Sequence, residues 1–313
     1  MLGHLLIFTV AAGGLFAQGA VPKSYTPPRT ADGQPDLQGM WGNATITPLE
    51  RPADTDKAFY TPAEAAAFEK AFNSEQNSRD RRDGGGAVDV ARAYNQSWFD
   101  RGTRVVESRR TSLVTSGDGR IHYTPQAQER LAEAAQHARL HPADGPEDLG
   151  LTDRCLLWYT AGPPMLPGPY NSNYQIFQTR GYVAIVSEMI HDVRLIPLDA
   201  RPHIASDVRL WLGDSRGHWD GNTLVVDTTN FNSKTGFRGA TADMHVTERF
   251  TRTGPDAIRY QFTVADPATF AEPWSGEIPL NRAQGVIYEY ACHEGNYGIV
   301  GVLGGARAQE RKR

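Results

Sequence analysis

Dense positive charge is missing from this chain of 313 residues. Its 32 basic and 36 acidic residues give a net charge of -4, and the basic residues cluster only in Arg311-Lys312-Arg313 at the end. Proteins that bind nucleic acid or anionic membranes usually carry a basic face or tract. We therefore expect no nucleic acid and, once an N-terminal signal is removed, no membrane among the partners.

Long hydrophobic runs are also missing, apart from one short run near the start. Residues 5–16 (LLIFTVAAGGLF) are too few to span a bilayer, and small residues such as Ala17 and Gly19 follow them. This order is typical of a signal peptide and its cleavage site. An N-terminal anchor is the alternative, because no Lys or Arg precedes the run. We predict a signal peptide at residues 1–20 and a secreted or periplasmic protein.

Cysteine is scarce, with Cys155 and Cys292 as its two occurrences. In an oxidising compartment an even count predicts one disulfide. Such a bond would close a loop of about 137 residues and stabilise the fold by about 3–5 kcal/mol. Two buried free thiols are the alternative, and a catalytic thiol is disfavoured because neither cysteine has an activating neighbour in the sequence.

The sequence lacks the short-range motifs of metal sites, such as H-E-x-x-H and H-x-H. Imidazole together with carboxylate suits zinc or iron, so a divalent metal bound by His191, His245 and His293 is an alternative that folding would have to assemble. We predict no metal site and favour no cofactor.

From residue 174 onward the sequence alternates with the two-residue period of antiparallel strands. Turn signals such as Asp220-Gly221 separate the runs. Many short strands without intervening helices favour a mainly β fold, either an antiparallel lipocalin-like barrel or a strongly curved sheet, over a sandwich. Gly39-Met40-Trp41 resembles the Gly-x-Trp entry to the first strand of lipocalin-like barrels. The other predicted strands cover residues 174–178, 182–187, 191–197, 218–219, 223–228, 245–253, 258–264, 274–280 and 286–290.

Two helices are predicted in an N-terminal extension of the barrel. Thr61-Pro62-Ala63-Glu64 has the residues of a capping box, and Thr124-Pro125 starts the second helix. Residues 77–88 are charged and glycine-rich, which indicates a surface loop. We expect five parts: a signal peptide at 1–20, an extended lead-in at 21–36, the first strand and both helices at 37–160, the antiparallel region closing the same domain at 161–305, and a polar tail at 306–313.

Several segments between residues 37 and 300 are similar to those of a secreted protein family abundant in soil bacteria. The resemblance implies export and a single architecture, and it implies no particular reaction. The segments that carry it are PDLQGMW, YNQSWFDRGT, RRTSLV, DRCLLWY, YNSNYQIFQT, EMIHDVRLIPLDARPH, GDSRGHWDGNTLVVDTTNF, HVTERFTR and YEYACHEGNYG.

Ionisable residues on the predicted strands are the first candidates for a site, because burying a polar group alone costs roughly 2–7 kcal/mol. On an alternating strand His191 would lie on one face, and Glu188 with Arg194 on the other. A histidine and a carboxylate with a raised pKa suffice for acid–base catalysis. We predict His191, Glu188 and His293 as catalytic residues. The alternative is an outer ion pair between Arg194 and either Glu188 or Asp192.

The remaining candidates are assigned to ligand binding: Asp192, Arg194, His245, Glu248, Glu294, Trp219 and Trp274. The tryptophans could stack on sugar or phenolic rings, although aromatic residues on strands more often pack in the core. The resulting hypothesis is a secreted barrel that binds or converts a small organic molecule, as an acid–base lyase, isomerase or hydrolase. A non-catalytic barrel that binds a small molecule or a glycan is the alternative. A serine hydrolase is disfavoured because G-x-S-x-G is missing.

Overall fold

The computed structural model describes residues 25–78 and 99–312. The predicted signal peptide at residues 1–20 lies outside the described residues, as does most of the predicted loop at 77–88. Among the described helices, none has the length and the hydrophobicity needed to cross a membrane.

Nine antiparallel strands form one sheet that curves into a nearly closed barrel, which confirms the mainly β fold class. Their order in the sheet is β4-β3-β2-β1-β9-β8-β7-β6-β5. The strands are β1 (Gly39–Gly42), β2 (Asn173–Gln178), β3 (Tyr182–Ser187), β4 (Val193–Pro197), β5 (Asp214–Asp220), β6 (Thr223–Thr229), β7 (His245–Gly254), β8 (Ala257–Ala265) and β9 (Trp274–Arg282).

Side chains cover the gap between β4 and β5, the two ends of the sheet. Arg194 on β4 donates from Nη2 to Ser215 Oγ on β5 at 3.4 Å. A Cβ atom at Gly217 would lie 2.8 Å from side-chain atoms of both Ile196 and Leu198. Glycine at this position therefore lets the two edges approach each other.

Trp41 anchors the first strand between two distant parts of the chain. β1 pairs with β2 on one side and with β9 on the other. The Trp41 indole is fully buried and donates from Nε1 to the Leu37 carbonyl at 2.9 Å. The guanidinium carbon of Arg282 lies 4.8 Å from its ring centre, within the range of a cation–π contact. The Gly-x-Trp segment thus forms a strand of the barrel, as predicted.

Alternate residues of the strands converge on one continuous core that is rich in aromatic side chains. Side chains fill the interior of a small barrel when the inward positions are this large. The buried aromatic residues of the strands are Trp41, Tyr174, Phe250, Tyr260, Phe262 and Trp274.

Both predicted helices are present with the predicted caps. α1 (Pro62–Ser78) begins with a capping box, in which the Glu64 backbone N–H donates to Thr61 Oγ1 at 3.2 Å and the Thr61 N–H donates to Glu64 Oε2 at 2.8 Å. α2 (Pro125–Leu140) is capped by Thr124, which accepts from Ala127. The proline at each first helical position needs no hydrogen-bond partner for its nitrogen.

Thr61→Ala is expected to lower the free energy of unfolding by about 0.5–2 kcal/mol, because it leaves a helical N–H without its side-chain acceptor. Urea unfolding of the two proteins gives this difference. Thr61→Ser keeps the acceptor oxygen and should remain close to the wild type. Equal stability of the wild type and Thr61→Ala would show that the capping box contributes little.

Two expectations about local structure are wrong. The strand expected from residue 191 begins at Val193, because Ile190 and His191 adopt positive φ angles of 59° and 48° that break the alternation. Residues 286–290 form no strand, because their backbone contacts side chains of the turn between β3 and β4 instead of a strand: the Tyr288 N–H donates to Glu188 Oε1 at 3.4 Å, and the Tyr290 carbonyl lies 3.3 Å from His191 Nδ1. The structure also has a third helix, α3 (Tyr297–Glu310), which was not predicted from the sequence. Its glycine content is unusual for a helix, which conceals it in the sequence.

Candidate ligand-binding cleft

The proline-rich segment 161–170 packs into the main core and joins the barrel to a cleft beside it. Met165 of this segment is fully buried, and its backbone N–H donates to the Tyr260 hydroxyl at 2.9 Å. Asn43 Nδ2 donates to the Met165 carbonyl at 3.0 Å. Both backbone polar groups of Met165 are therefore satisfied by side chains, which holds the segment in place.

A buried ion pair inside the barrel fixes the Tyr260 hydroxyl that accepts from Met165. Arg194 on β4 and Glu248 on β7 form a two-pronged pair, with Nη1 and Oε1 3.0 Å apart and a second contact from Nη2 to Oε2. The Tyr260 hydroxyl donates to Glu248 Oε1 at 2.8 Å. Burial, and then the negative charge of Glu248, raise the pKa of Tyr260 well above its usual value. The phenol therefore keeps its proton and continues to donate.

A cleft of about 690 Å³ lies between segment 161–170, the N-terminal extension and the loop after β6. Its size falls in the range of small-molecule sites. Apolar groups dominate its walls. The lining residues include Ile46, Leu49, Phe72, Leu113, Leu151, Leu157, Trp158, Tyr159, Pro163, Pro164, Leu166, Pro167, Phe231 and Phe237.

Aromatic rings in two groups line the cleft. Trp158 and Tyr159 stack with ring centres 5.6 Å apart, and Tyr159 is 46% exposed. Phe237 stacks on the buried ring of Trp274 at 6.4 Å. Burial raises the pKa of Tyr159, so its phenol is neutral at physiological pH. The rings thus offer flat apolar surfaces and one neutral hydroxyl group.

Two arginines supply the formal charge on the described lining of the cleft, Arg101 and Arg238. Arg238 forms an ion pair with Glu50, and its Nε donates to the Tyr123 hydroxyl at 3.3 Å. These contacts hold the partly exposed guanidinium in one orientation. The Arg101 guanidinium carbon lies 3.9 Å from the centre of the Phe99 ring.

The predicted disulfide between Cys155 and Cys292 is present and holds one wall of the cleft. Cys155 lies within the lining segment 151–159, and its Cα is 5.7 Å from that of Cys292. Asn296 Nδ2 adds a hydrogen bond to the Asp153 carbonyl at 3.0 Å. The covalent bond therefore ties the cleft wall to the C-terminal part of the chain.

None of the ten predicted catalytic and ligand-binding residues lines this cleft. Two of them, Arg194 and Glu248, meet as the buried pair inside the barrel. The alternative of an outer pair with Glu188 or Asp192 is wrong, because Arg194 lies on the inward face of β4.

Three more of the predicted residues, Glu188, His191 and Asp192, lie in the turn between β3 and β4. They do not share a cavity with the other predicted residues. Glu188 is buried and accepts from Asn173 Nδ2 at 2.7 Å. His191 is exposed, with Nδ1 3.3 Å from the Tyr290 carbonyl. Burial raises the pKa of Asp192 to about 6, although the nearby His191 lowers it.

The other predicted residues lie apart from that turn. His293 and Glu294 are exposed in the loop before α3. Trp274 is buried in the core, in edge-to-face contact with Phe262 at 5.7 Å, and Trp219 is half-buried against the same core. The two tryptophans therefore form no exposed row of the kind that a glycan-binding surface uses.

His245 belongs to a chain of polar contacts that the sequence did not reveal. Its Nε2 contacts Asp227 Oδ2, and Asp227 Oδ1 lies 3.0 Å from His203 Nε2. His203 Nδ1 lies 2.9 Å from Asp214 Oδ2. Because His203 is in an irregular loop, strand alternation could not predict its position.

Protonation of His245 is expected to stabilise the fold. The hydrogen bond to Asp227 raises the pKa of His245 above its usual value of 6.5. The stabilisation by protonated His245 is therefore fully present below pH 6.5 and is lost as pH rises through the raised pKa.

The free energy of unfolding should fall as pH rises through this range, and it should fall less in His245→Gln. Urea unfolding across the range measures both slopes, and Asp227→Asn should give the same flattening. Equal slopes for wild type and variant would contradict the prediction.

The described residues contain no group of three or more His, Cys, Asp or Glu side chains that could hold a metal ion. One histidine pair at helical spacing does occur: His137 in the last turn of α2 and His141, its C-cap residue, have ring centres 4.7 Å apart. His141 also contacts Asp144, with Nδ1 and Oδ2 2.6 Å apart.

The cleft was not predicted from the sequence, because most of its residues lie in segments without periodicity. DRCLLWY and AGPPMLPGPY contain Trp158, Tyr159 and several lining prolines. Their density of aromatic residues and proline was the available signal. No family model, curated protein sequence or solved structure matches this chain. The resemblance to the secreted soil-bacterial family therefore stays a prediction, and the function has to be argued from the cleft.

Proposed function

We propose that this protein binds a small, mainly apolar organic molecule that carries an aromatic ring and a negative charge, in the cleft beside the barrel. The observation that carries the proposal is an apolar cleft of about 690 Å³ with arginines as the charged members of its described lining. Sites for small molecules combine mostly apolar walls with a few polar groups that orient the ligand.

The aromatic walls support a ring-shaped ligand. The Trp158–Tyr159 stack presents a half-exposed face, and Phe237 is held by Trp274 behind it. Stacking between aromatic rings contributes about 0.5–1.5 kcal/mol beyond the area that it buries. A planar ring packed on either aromatic group would gain the stacking energy together with the energy of burying its apolar area.

The arginines support a negative charge on that ligand. Arg238 keeps its orientation through Glu50 and Tyr123, so it is already ordered when a ligand arrives. A guanidinium pairs with carboxylate in a planar two-pronged geometry. We expect the carboxylate of a bound aromatic acid to lie beside Arg238.

Binding without catalysis fits these contacts better than acid–base catalysis. His191 and His293 are exposed, and neither they nor Glu188 line the cleft. The neutral phenol of Tyr159 is the remaining proton donor on the aromatic wall. One hydroxyl group without a neighbouring base suits hydrogen bonding to a ligand rather than proton transfer.

Tyr159→Ala is expected to weaken binding of 2-naphthoate roughly tenfold, because it removes one stacking face of the cleft. Isothermal titration calorimetry of the oxidised protein measures the dissociation constant. Phe177→Ala is a matched control, since Phe177 is 45% exposed on the outside of β2 and does not line the cleft. This control should bind like the wild type.

Three probes of the same ring size test the charge preference. The dissociation constant should be lowest for 2-naphthoate, higher for 2-naphthylmethanol and highest for a naphthyl trimethylammonium cation. Arg238→Gln should raise the dissociation constant for naphthoate and leave that for the alcohol nearly unchanged. Equal loss of binding in Tyr159→Ala and Phe177→Ala would place the site outside the cleft.

A further inference from the structure

Two histidines lie one helical turn apart at the C-terminal end of α2. His137 is in the last turn of the helix, and His141 is the C-cap residue. The His141 backbone N–H still donates to the His137 carbonyl, at 2.8 Å, so the helical hydrogen bonding extends to His141. Side chains four residues apart are neighbours on one face of a helix. Both imidazole rings are therefore on the same side of α2, and both residues are exposed.

The two imidazole rings lie close together and nearly parallel. Their centres are 4.7 Å apart, and their planes differ by 28°. Among the described residues, none forms a hydrogen bond with the His137 side chain or with His141 Nε2. These ring nitrogens are thus open to solvent and available to a common ligand.

Asp144 fixes the tautomer of the His141 ring. Its Oδ2 lies 2.6 Å from His141 Nδ1. An ionised carboxylate can only accept a hydrogen bond, so the Nδ1 atom of His141 carries the proton. In the neutral ring this leaves the lone pair on Nε2. Histidines that bind metal ions usually donate their other ring N–H to a carboxylate or a carbonyl in this way.

The turn that carries Asp144 is itself held in place. Arg307 on α3 donates from Nη1 to the Asp144 carbonyl at 2.7 Å and from Nη2 to the Ala143 carbonyl at 3.1 Å. The Gly145 N–H donates to Asp148 Oδ2 at 2.7 Å. Asp144 therefore reaches His141 from an ordered backbone, and a site supported in this manner needs little rearrangement to bind its ligand.

We propose that His137 and His141 bind one divalent transition-metal ion, with Asp144 as a positioning residue behind His141. Imidazole suits copper, nickel and zinc, and the affinity of a given site is highest for Cu²⁺. Two protein ligands leave coordination positions for water. Neither histidine lines the cleft, so the metal site is separate from the proposed site for the organic ligand.

Isothermal titration calorimetry of the oxidised protein with Cu²⁺ tests this site. Neither cysteine is free, so no thiol competes for the metal. His137→Gln and His141→Gln should each raise the Cu²⁺ dissociation constant at least about tenfold, because each variant keeps a single imidazole of the pair. His122→Gln is the matched control and should bind like the wild type. His122 also contacts a carboxylate, with Nε2 3.2 Å from Asp118 Oδ1, but it has no second histidine four residues away.

Asp144→Asn separates the positioning role from a structural one. This variant should raise the Cu²⁺ dissociation constant about tenfold and leave thermal unfolding without metal unchanged. The electron paramagnetic resonance spectrum of its bound Cu²⁺ should still show two nitrogen ligands, whereas each histidine variant should lose one.

Two outcomes would overturn the proposal. If His137→Gln and His141→Gln bind Cu²⁺ as the wild type does, the metal is bound elsewhere. A lower thermal stability of the same variants would then assign the pair to the negative end of the helix dipole. If His122→Gln loses as much affinity as His137→Gln, surface histidines bind the ion without a defined site.

Discussion

Arg194→Met is expected to lower the free energy of unfolding by about 3–5 kcal/mol. The substitution keeps much of the side-chain volume but leaves the Glu248 carboxylate in the core, where Tyr260 is its remaining hydrogen-bond donor. Burial of an unpaired charge is among the largest single effects that a core substitution can have. Urea unfolding, followed by circular dichroism, measures the loss.

Two further variants separate the ion pair from other effects of the substitution. Arg194→Met combined with Glu248→Leu removes both charges, so it should recover most of the stability. Arg249→Met is the solvent-exposed control, because Arg249 follows Glu248 on β7 and pairs with Asp220 at 2.8 Å in a solvated position. It should cost at most about 1 kcal/mol. A double variant as unstable as the single one would show that the pair is not the reason for the loss.

The ion pair should also affect ligand binding from a distance. Glu248 holds Tyr260, and Tyr260 holds the backbone of Met165 in the segment that lines the cleft. The double variant lacks the acceptor for the Tyr260 proton, so we expect recovered stability together with weaker naphthoate binding. The unfolding free energy of Arg194→Met combined with Glu248→Leu would then be close to that of the wild type, while its naphthoate dissociation constant would be higher.

Removal of the disulfide by Cys155→Ser and Cys292→Ser is expected to cost about 2–5 kcal/mol of unfolding free energy. The bond joins residues 137 positions apart, so its loss releases a large loop in the unfolded chain. The cleft wall at 151–159 loses its covalent anchor at the same time. Naphthoate binding should therefore weaken as well, roughly tenfold at a temperature where the variant stays folded.

Reductant provides the control for the disulfide. Dithiothreitol should reduce the unfolding free energy of the wild type to the level of the double serine variant, and it should leave that variant unchanged. Mass spectrometry after alkylation under non-reducing conditions should find no modified cysteine in the oxidised protein. Two alkylated cysteines, or a variant as stable as the wild type, would contradict the prediction.

The strands and caps could be predicted because they depend on local signals. Alternation in segments such as 182–187 marks one buried face, and the capping box at Thr61 needs only four consecutive residues. The prediction failed at Ile190 and His191, where positive φ values end the alternation. Left-handed backbone at an isoleucine is rare, so no sequence rule anticipates it.

The candidate site was harder to predict because its parts meet only in three dimensions. Arg194 and Glu248 were both selected from the sequence, yet their partnership depends on the curvature of the sheet, which brings β4 close to β7 across the barrel interior. The cleft walls come from segments without periodicity, so Trp158 and Phe237 carried no signal of a shared location. Local patterns report which residues are buried. They do not report which buried or half-buried residues face each other.

The position of β1 in the sheet has a consequence for the order in which the barrel can form during synthesis. Trp41 pairs with Arg282 on β9, and most of the chain separates these two residues. Contacts this distant in sequence form late, because the intervening chain must be ordered first. During synthesis β1 emerges first but can pair with β9 only after β9 has been made. Until then the apolar residues of β1 have to be shielded from water by other contacts. A nascent chain that stops before β9 would leave both neighbours of that strand with an open edge.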